Sequence, residues 1–302
     1  MMSELRKDYI QDKYVIIAPK RARRPHQIGW GEKTPCAFCP EKVNKVKAIL
    51  TVGSEKNWLI KVIKNIYPAV SLNNPKAYGL QEIVIETPNH FRELEDLPER
   101  HIRKLLEVYA QRTYEISKNK RIAYILIFKN SGAAAGASIS HSHSQIFATD
   151  FIPPHVFDKS QKCHEYMLRH GSCVYCDIIK KESRSSRLIY KDKHIIAFCP
   201  YASMHNYEVW IMPIRHVDNI SNLNKEEIKS FAKILKIILK KVRKLGLPYN
   251  YYFHQVINDE DQHLYMKVIP RGSVWAGVEI GSGIIINPIS PEKAAKFYRG
   301  EK

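Results

Sequence analysis

Residues 124–145 read YILIFKNSGAAAGASISHSHSQ, an apolar run, then a stretch of small residues, then histidine alternating with serine and closing on glutamine. The apolar run is rich in β-branched and aromatic residues and predicts a strand. Alternation at a period of two is also a strand pattern, and it places His141, His143 and Gln145 on one face with Ser142 and Ser144 on the other. The small residues between the two strands lack bulk, so a phosphate or nucleotide can approach the backbone closely. Two imidazoles and an amide beside such a loop suit phosphoryl chemistry, in which an imidazole attacks phosphorus and the amide donates to a non-bridging oxygen.

Outward from this stretch, the same order of features occurs twice. The first half carries CAFC (36–39), EIVIETPNH ending at His90, an amphipathic segment LPERHIRKLLEVYAQRTYEISK, the strand-like AYILIFKN, and HSHSQIFATDFIPP. The second carries CVYC (173–176), EVWIMPIRH ending at His216, the amphipathic NKEEIKSFAKILKIILKKVRKLG, the strand-like YNYYFHQV, and HLYMKVIPR. Each half reads as a hairpin, a helix and further strands, with helix starts signalled by Asp96 or Pro98 and by Asn224 with Glu226 and Glu227. The expected fold is α+β: two repeats, residues 1–150 and 173–302, joined by a Pro-rich and polar linker at 151–172. Helices pack on antiparallel sheet, either two sheets or one continuous one.

The paired C-x-x-C motifs recur with histidines at matching places. Cys36, Cys39, His90 and His141 form one candidate metal site, and Cys173, Cys176, His216 and His263 a second. Two thiolates and two imidazoles make a closed tetrahedral zinc site, because zinc accepts either ligand without geometric preference. Cys163 and Cys199 lack a paired neighbour and are expected to be buried thiols, while His26, His155, His164, His170 and His254 are read as ordinary surface or core residues.

The 302 residues are 44% hydrophobic and 26% charged, which suits a packed globular protein. No apolar run is long enough to span a membrane and the N-terminal residues lack a signal-peptide pattern, so a cytoplasmic protein is expected. The net charge of +18 suits nucleic acid, an acidic small substrate, or no specific partner. Its basic residues are locally dense at 20–24 and along 225–244, and the second run has helical periodicity and is read as a solvated helix face.

The combination of HSHSQ after NSGAAAGAS with CAFC and TPNH resembles the galactose-1-phosphate uridylyltransferase family of the histidine triad superfamily, over nearly the whole chain from about Arg21 to Arg299. The resemblance implies that His141 is a metal ligand, His143 the nucleotidylated nucleophile and Gln145 the phosphoryl anchor. It implies further that Arg21 and Arg24 in KRARRP contact phosphate, that Asn65, Asn130 and Ser138 contact nucleotide, and that Glu279 in GVEIGSG contacts the hexose. The expected activity is uridylyl transfer from UDP-glucose to galactose 1-phosphate through a uridylyl-histidine, with two zinc ions and a homodimer acting on a nucleotide sugar and a hexose 1-phosphate. Tyr265 stands where the second repeat would carry its nucleophile, so one catalytic centre per chain follows. Ile286 and Asn287 occupy the region of a sugar-binding glutamine, and the HSHSQ form and the INPISPE tail resemble relatives that phosphorolyse ADP-glucose. An ADP-sugar or dinucleoside polyphosphate phosphorylase is therefore the alternative, and a non-catalytic zinc-stabilised nucleic-acid-binding protein is the remoter one.

Overall fold

The computed structural model describes residues 2–7, 13–20, 36–257 and 259–301. A hairpin of β1 (Glu4–Lys7) and β2 (Tyr14–Ile17) forms a small sheet of its own. The main sheet has ten strands. The first half supplies β3 (Ala48–Gly53), β4 (Trp58–Lys64), β5 (Gly79–Ile85), β6 (Tyr124–Ser131) and β7 (His143–Thr149). The second supplies β8 (Leu188–Lys191), β9 (Ile195–Phe198), β10 (Val209–Pro213), β11 (Tyr249–His254) and β12 (Tyr265–Pro270).

Strand order is β3-β4-β5-β7-β6-β11-β12-β10-β9-β8, so the order of the second half mirrors that of the first. Every pairing in this sheet is antiparallel, and the halves meet where β6 pairs with β11, Asn130 opposite Asn250. Of the two arrangements the sequence allows, a single continuous sheet is the one formed. The β6–β11 ladder satisfies two strand edges that would otherwise stand open.

The helices are α1 (Pro40–Val43), α2 (Glu99–Ser117), α3 (Pro154–His170), α4 (Val174–Glu182), α5 (Lys225–Lys244), α6 (Gly277–Ser282) and α7 (Pro291–Arg299). Helix α2 starts directly after Pro98, and α5 after Asn224, whose side chain accepts from the Glu226 and Glu227 amides while Glu227 reaches back to the Asn224 amide. Ile102, Leu105, Leu106 and Tyr109 of α2 and Phe231, Leu235, Ile238 and Val242 of α5 recur at helical spacing and are buried. They share one core with Ile60, Val84, Ile146, Tyr251 and Val268, so the two long helices cover one face, the back, of both halves.

The front face is treated unequally. Over the second half, α3 and α4 close it with a cluster of Cys163, Tyr175, Ile179, Ile196, Phe198, Met212 and Tyr265. The segment 151–172, expected as a linker, is mostly helix α3, and it is this helix that lies on the second half. Over the first half the front cluster is Phe38, Val43, Trp58, Ile63, Ile83 and Ile85. Cys163 and Cys199 are buried. Among the described residues, no helix is long and apolar enough to cross a membrane.

Candidate active site and metal centres

Strand β7 and the two residues before it present His141, His143 and Gln145 toward the front and turn Ser142 and Ser144 to the back. The serines enter a buried polar network. Lys129 Nζ lies 2.6 Å from Glu86 Oε2 and 2.7 Å from Ser142 Oγ, and Ser142 Oγ donates to Glu86 Oε2 at 2.7 Å. Tyr109 OH donates to Ser144 Oγ at 2.6 Å and lies 2.7 Å from Tyr251 OH, which in turn donates to Glu86 Oε1. Burial by itself would raise the Glu86 carboxyl, but the Lys129 ammonium and the Ser142 hydroxyl outweigh it and hold the group ionised below the usual range. A buried charge needs such pairing, and the pair fixes the back of the strand.

On the front, the His143 ring stands edge-on to Phe38, with centroids 5.0 Å apart. His143 Nδ1 lies 2.8 Å from the His141 carbonyl oxygen. A carbonyl can only accept, so Nδ1 carries the proton and Nε2 keeps its lone pair. Burial pushes His143 down to about 4, so the imidazole is neutral at pH 7. Gln145 lies opposite Ile83 in the neighbouring strand, and Gln81 Nε2 donates to Gln145 Oε1 at 2.8 Å. Ahead of His141, a single tight turn at Ala133–Ala135 is bounded by Gly132 and Gly136, whose φ values of 86° and 84° favour glycine.

The ligand atoms of Cys36, Cys39, His90 and His141 all lie within 4.8 Å of one another, as do those of Cys173, Cys176, His216 and His263. Cys39 Sγ is 3.4 Å from His90 Nδ1 and 3.7 Å from His141 Nδ1, and Cys36 Sγ is 3.8 Å from His141 Nδ1. In the second group Cys176 Sγ is 3.4 Å from His216 Nδ1 and 3.8 Å from His263 Nδ1. A tetrahedral cation bound by sulfur and nitrogen separates those atoms by roughly 3.5 Å, so both groups fit a metal ion. In three of the four histidines the other nitrogen is engaged: His141 Nε2 with the Thr87 carbonyl at 2.7 Å, His216 Nε2 with the Glu260 carbonyl at 2.9 Å, and His263 Nε2 with the Pro213 carbonyl at 2.9 Å. Such contacts fix the ring and leave Nδ1 as the ligand atom. Thr87 and Pro213 each stand three residues before a histidine of their own group, so the two centres match down to this contact.

The remaining expected positions are scattered about this centre. Arg21 and Arg24 lie outside the described residues. Asn65 follows β4, where its side chain accepts from the Tyr67 amide at 2.8 Å and its own amide donates to the Gln81 carbonyl. Asn130 Oδ1 accepts from Asn250 Nδ2 at 2.8 Å, and Asn250 also donates to the Ala135 carbonyl, holding the small-residue turn. Ser138 is buried in the segment between that turn and His141. Glu279 caps α6 through the Ala276 amide; among the described residues no hydrogen bond joins it to the HSHSQ strand.

Gln81, Glu86 and Lys129 are residues the sequence reading did not single out. Their signal was available: each is a polar side chain inside an otherwise apolar run, GLQEIVIE or YILIFKN, and each is buried.

Comparison with known proteins bears on both halves. A family model described as galactose-1-phosphate uridyl transferase, N-terminal domain, matches residues 54–153, and one described as scavenger mRNA decapping enzyme C-term binding matches residues 172–274. An ADP-glucose phosphorylase of Arabidopsis thaliana is 32% identical over 98% of this chain and 92% of its own length. A galactose-1-phosphate uridylyltransferase of Thermotoga maritima is 31% identical over 99% of this chain and 98% of its own. A solved uridylyltransferase structure superposes with a TM-score of 0.86 at 29% identity, covering 99% of this chain and 98% of that one.

Proposed function

The chain belongs to the galactose-1-phosphate uridylyltransferase family, and from that premise we propose that it transfers a uridylyl group from UDP-glucose to galactose 1-phosphate in two half-reactions at His143. The observation that carries this reading is the arrangement of His143: Nδ1 tied to the His141 carbonyl, so that Nε2 keeps its lone pair, with Gln145 two residues along on the same face. In the first half-reaction the Nε2 lone pair forms a bond to the α-phosphorus. The bond from that phosphorus to the bridging oxygen breaks, and glucose 1-phosphate departs with the bonding electrons. In the second, a phosphate oxygen of galactose 1-phosphate attacks the same phosphorus and His143 leaves with its lone pair. Throughout, the Nδ1–H of His143 stays hydrogen-bonded to the His141 carbonyl, which holds the ring and disperses the charge of the substituted imidazole. Gln145 would donate to a non-bridging oxygen, and one such donor is worth about a hundred- to a thousand-fold in rate.

Both cysteine–histidine groups would hold zinc, which suits mixed thiolate and imidazole ligands. With four protein ligands the ion would be structural, cross-linking the segments on either side of His143. Arg21, Arg24, Asn65, Asn130 and Ser138 would contact phosphate and nucleotide, and Glu279 the hexose. A homodimer is favoured by the tail, where Val274, Val278, Ile280, Ile284 and Ile286 are exposed, Val274 at 90%. A run of exposed apolar side chains is expected to be covered by another surface. The positive charge of the chain suits polyanionic substrates.

A second reading, phosphorolysis of ADP-glucose, is favoured by the similarity to the Arabidopsis phosphorylase, whose 32% identity lies beside the 31% of the Thermotoga transferase. It keeps His143 and Gln145 in the same roles and changes the base and the acceptor. Isotope exchange separates the two. Labelled glucose 1-phosphate entering UDP-glucose without any other acceptor supports the uridylyltransferase. Conversion of ADP-glucose with inorganic phosphate to ADP and glucose 1-phosphate supports the phosphorylase, and neither reaction at all would overturn both.

A further inference from the structure

Gln145 can serve as a phosphoryl anchor only if its amide turns NH2, not the oxygen, toward the substrate. The two ends of a glutamine amide have nearly the same shape, so packing alone does not choose between them. The hydrogen-bond chain leading to Gln145 does. The Ala69 backbone N–H, which can only donate, reaches Gln81 Oε1 at 3.1 Å. That contact fixes the Gln81 oxygen toward Ala69 and therefore its nitrogen toward Gln145. Gln81 Nε2 donates to Gln145 Oε1 at 2.8 Å, which commits the Gln145 oxygen and leaves its NH2 as the free donating end. Both side chains are buried, Gln81 7% and Gln145 8% exposed, so bulk water does not compete for these bonds. Gln81 stands on β5 at the diagonal position to Gln145 on β7, on the same front face of the sheet.

We infer that Gln81 is a positioning residue that sets the amide orientation of Gln145, so that the anchor meets the transferring phosphoryl group as a donor; this inference rests on the nucleotidyl-histidine reading above. An inverted Gln145 would set a carbonyl oxygen against phosphoryl oxygens, losing a hydrogen bond and adding repulsion where charge develops. The orientation is thus dictated from a backbone amide in the 65–70 loop, two hydrogen bonds away from the anchor.

The test follows formation of the nucleotidyl-enzyme in a single turnover by intact-protein mass spectrometry, with UDP-glucose and with ADP-glucose, for wild type, Gln81→Met, Gln145→Met and the double variant. Gln81→Met is expected to slow adduct formation by about ten- to a hundred-fold while the half-saturating substrate concentration moves less than about three-fold. In the Gln145→Met background the same change should add no further loss, because its route is gone. Gln81→Glu covers the case in which Gln81→Met fails to fold. The introduced carboxylate can still accept from Ala69 but cannot donate to Gln145 Oε1, so a comparable slowing is expected at unchanged metal content. An adduct formed at the wild-type rate in the folded Gln81 variant, or losses that multiply in the double variant, would overturn the positioning role alone. No adduct in the wild-type protein with either sugar nucleotide would overturn the nucleotidyl-histidine reading and this inference with it.

Discussion

The two halves of the sheet are built alike and finished differently. Each carries two cysteines and two histidines on matching segments, and in each the last histidine of the group leans on the carbonyl three residues before the other. Two residues past that histidine they part. The first half has His143, held by one backbone carbonyl at Nδ1 so that Nε2 keeps its lone pair. The second has Tyr265, whose ring stacks on Trp210 at 4.4 Å and on His254 at 4.6 Å beneath α3 and α4. Two further on, Gln145 has its counterpart in Lys267, which is paired at 2.8 Å with the buried Glu208. On the back, Ser142 and Ser144 join the Glu86–Lys129–Tyr109 network, whereas Leu264 and Met266 at the same places sink into the apolar core. The cysteine–histidine scaffold is therefore shared, and the surroundings of the strand beside it are not: the first half sets that strand on a polar foundation, and the second has filled the same places with packing.

The largest effect expected on this contrast is from exchanging its two central residues. His143→Gly should lose nucleotidyl transfer by at least about a thousand-fold with metal content unchanged, while Tyr265→Phe should turn over at close to the wild-type rate. Tyr265→His should gain no second adduct, because Trp210, His254 and α3 occupy the space a phosphoryl group would need. Measured turnover and adduct stoichiometry decide all three.

Next is the metal scaffold. His141→Ala and His263→Ala should each release one ion of the two and cost about 3 kcal/mol or more of stability. Only His141→Ala should also abolish turnover, since it unfastens the strand that carries His143. Metal analysis and denaturant melts read the first effect, and kcat the asymmetry.

The buried network gives a similar stability effect without loss of metal. Lys129→Met leaves the Glu86 carboxylate buried and unpaired, a change that costs about 3–5 kcal/mol. The serine pair offers a gentler probe: Ser142→Ala and Ser144→Ala should each cost about 1 kcal/mol, read in urea midpoints.

The last effect is confined to one side of the pH scale. Burial beside Glu93 pushes the Glu95 carboxyl from its ordinary 4.5 up to about 7. The folded state then binds this proton more tightly than the unfolded chain. Its contribution is present below about pH 4.5 and is lost as pH rises through about 7. Glu95→Gln should therefore stabilise the protein by up to about 3 kcal/mol at pH 8 and hardly at all at pH 4, with Glu93, Asp96 and Lys129 facing the site in both forms. A gain of equal size at both pH values would contradict this.

Much of this was legible in the sequence, for identifiable reasons. Period-two alternation at 141–145 and period-three-to-four burial in 99–117 and 225–244 are local signals, and the duplicated order of cysteines and histidines gave both metal groups. What escaped depends on long-range pairing. Nothing local says that β6 joins β11 into one sheet, that the proline-rich segment 151–172 folds as a helix over Tyr265, or that Gln81 meets Gln145 across a strand. Glu279 is plain as a motif, whereas its local contact, accepting from the Ala276 amide at the start of α6, is seen only in the fold.

The central claim is that each chain holds one nucleophilic centre and that it lies in the first half. The most direct measurement is intact-protein mass spectrometry after incubation with UDP-glucose or ADP-glucose in the absence of acceptor, followed by peptide mapping of the modified site. One nucleotidyl group per chain, on His143, is the predicted result, with its base identifying the donor. No adduct from either sugar nucleotide, or an adduct on a residue of the second half, would contradict it.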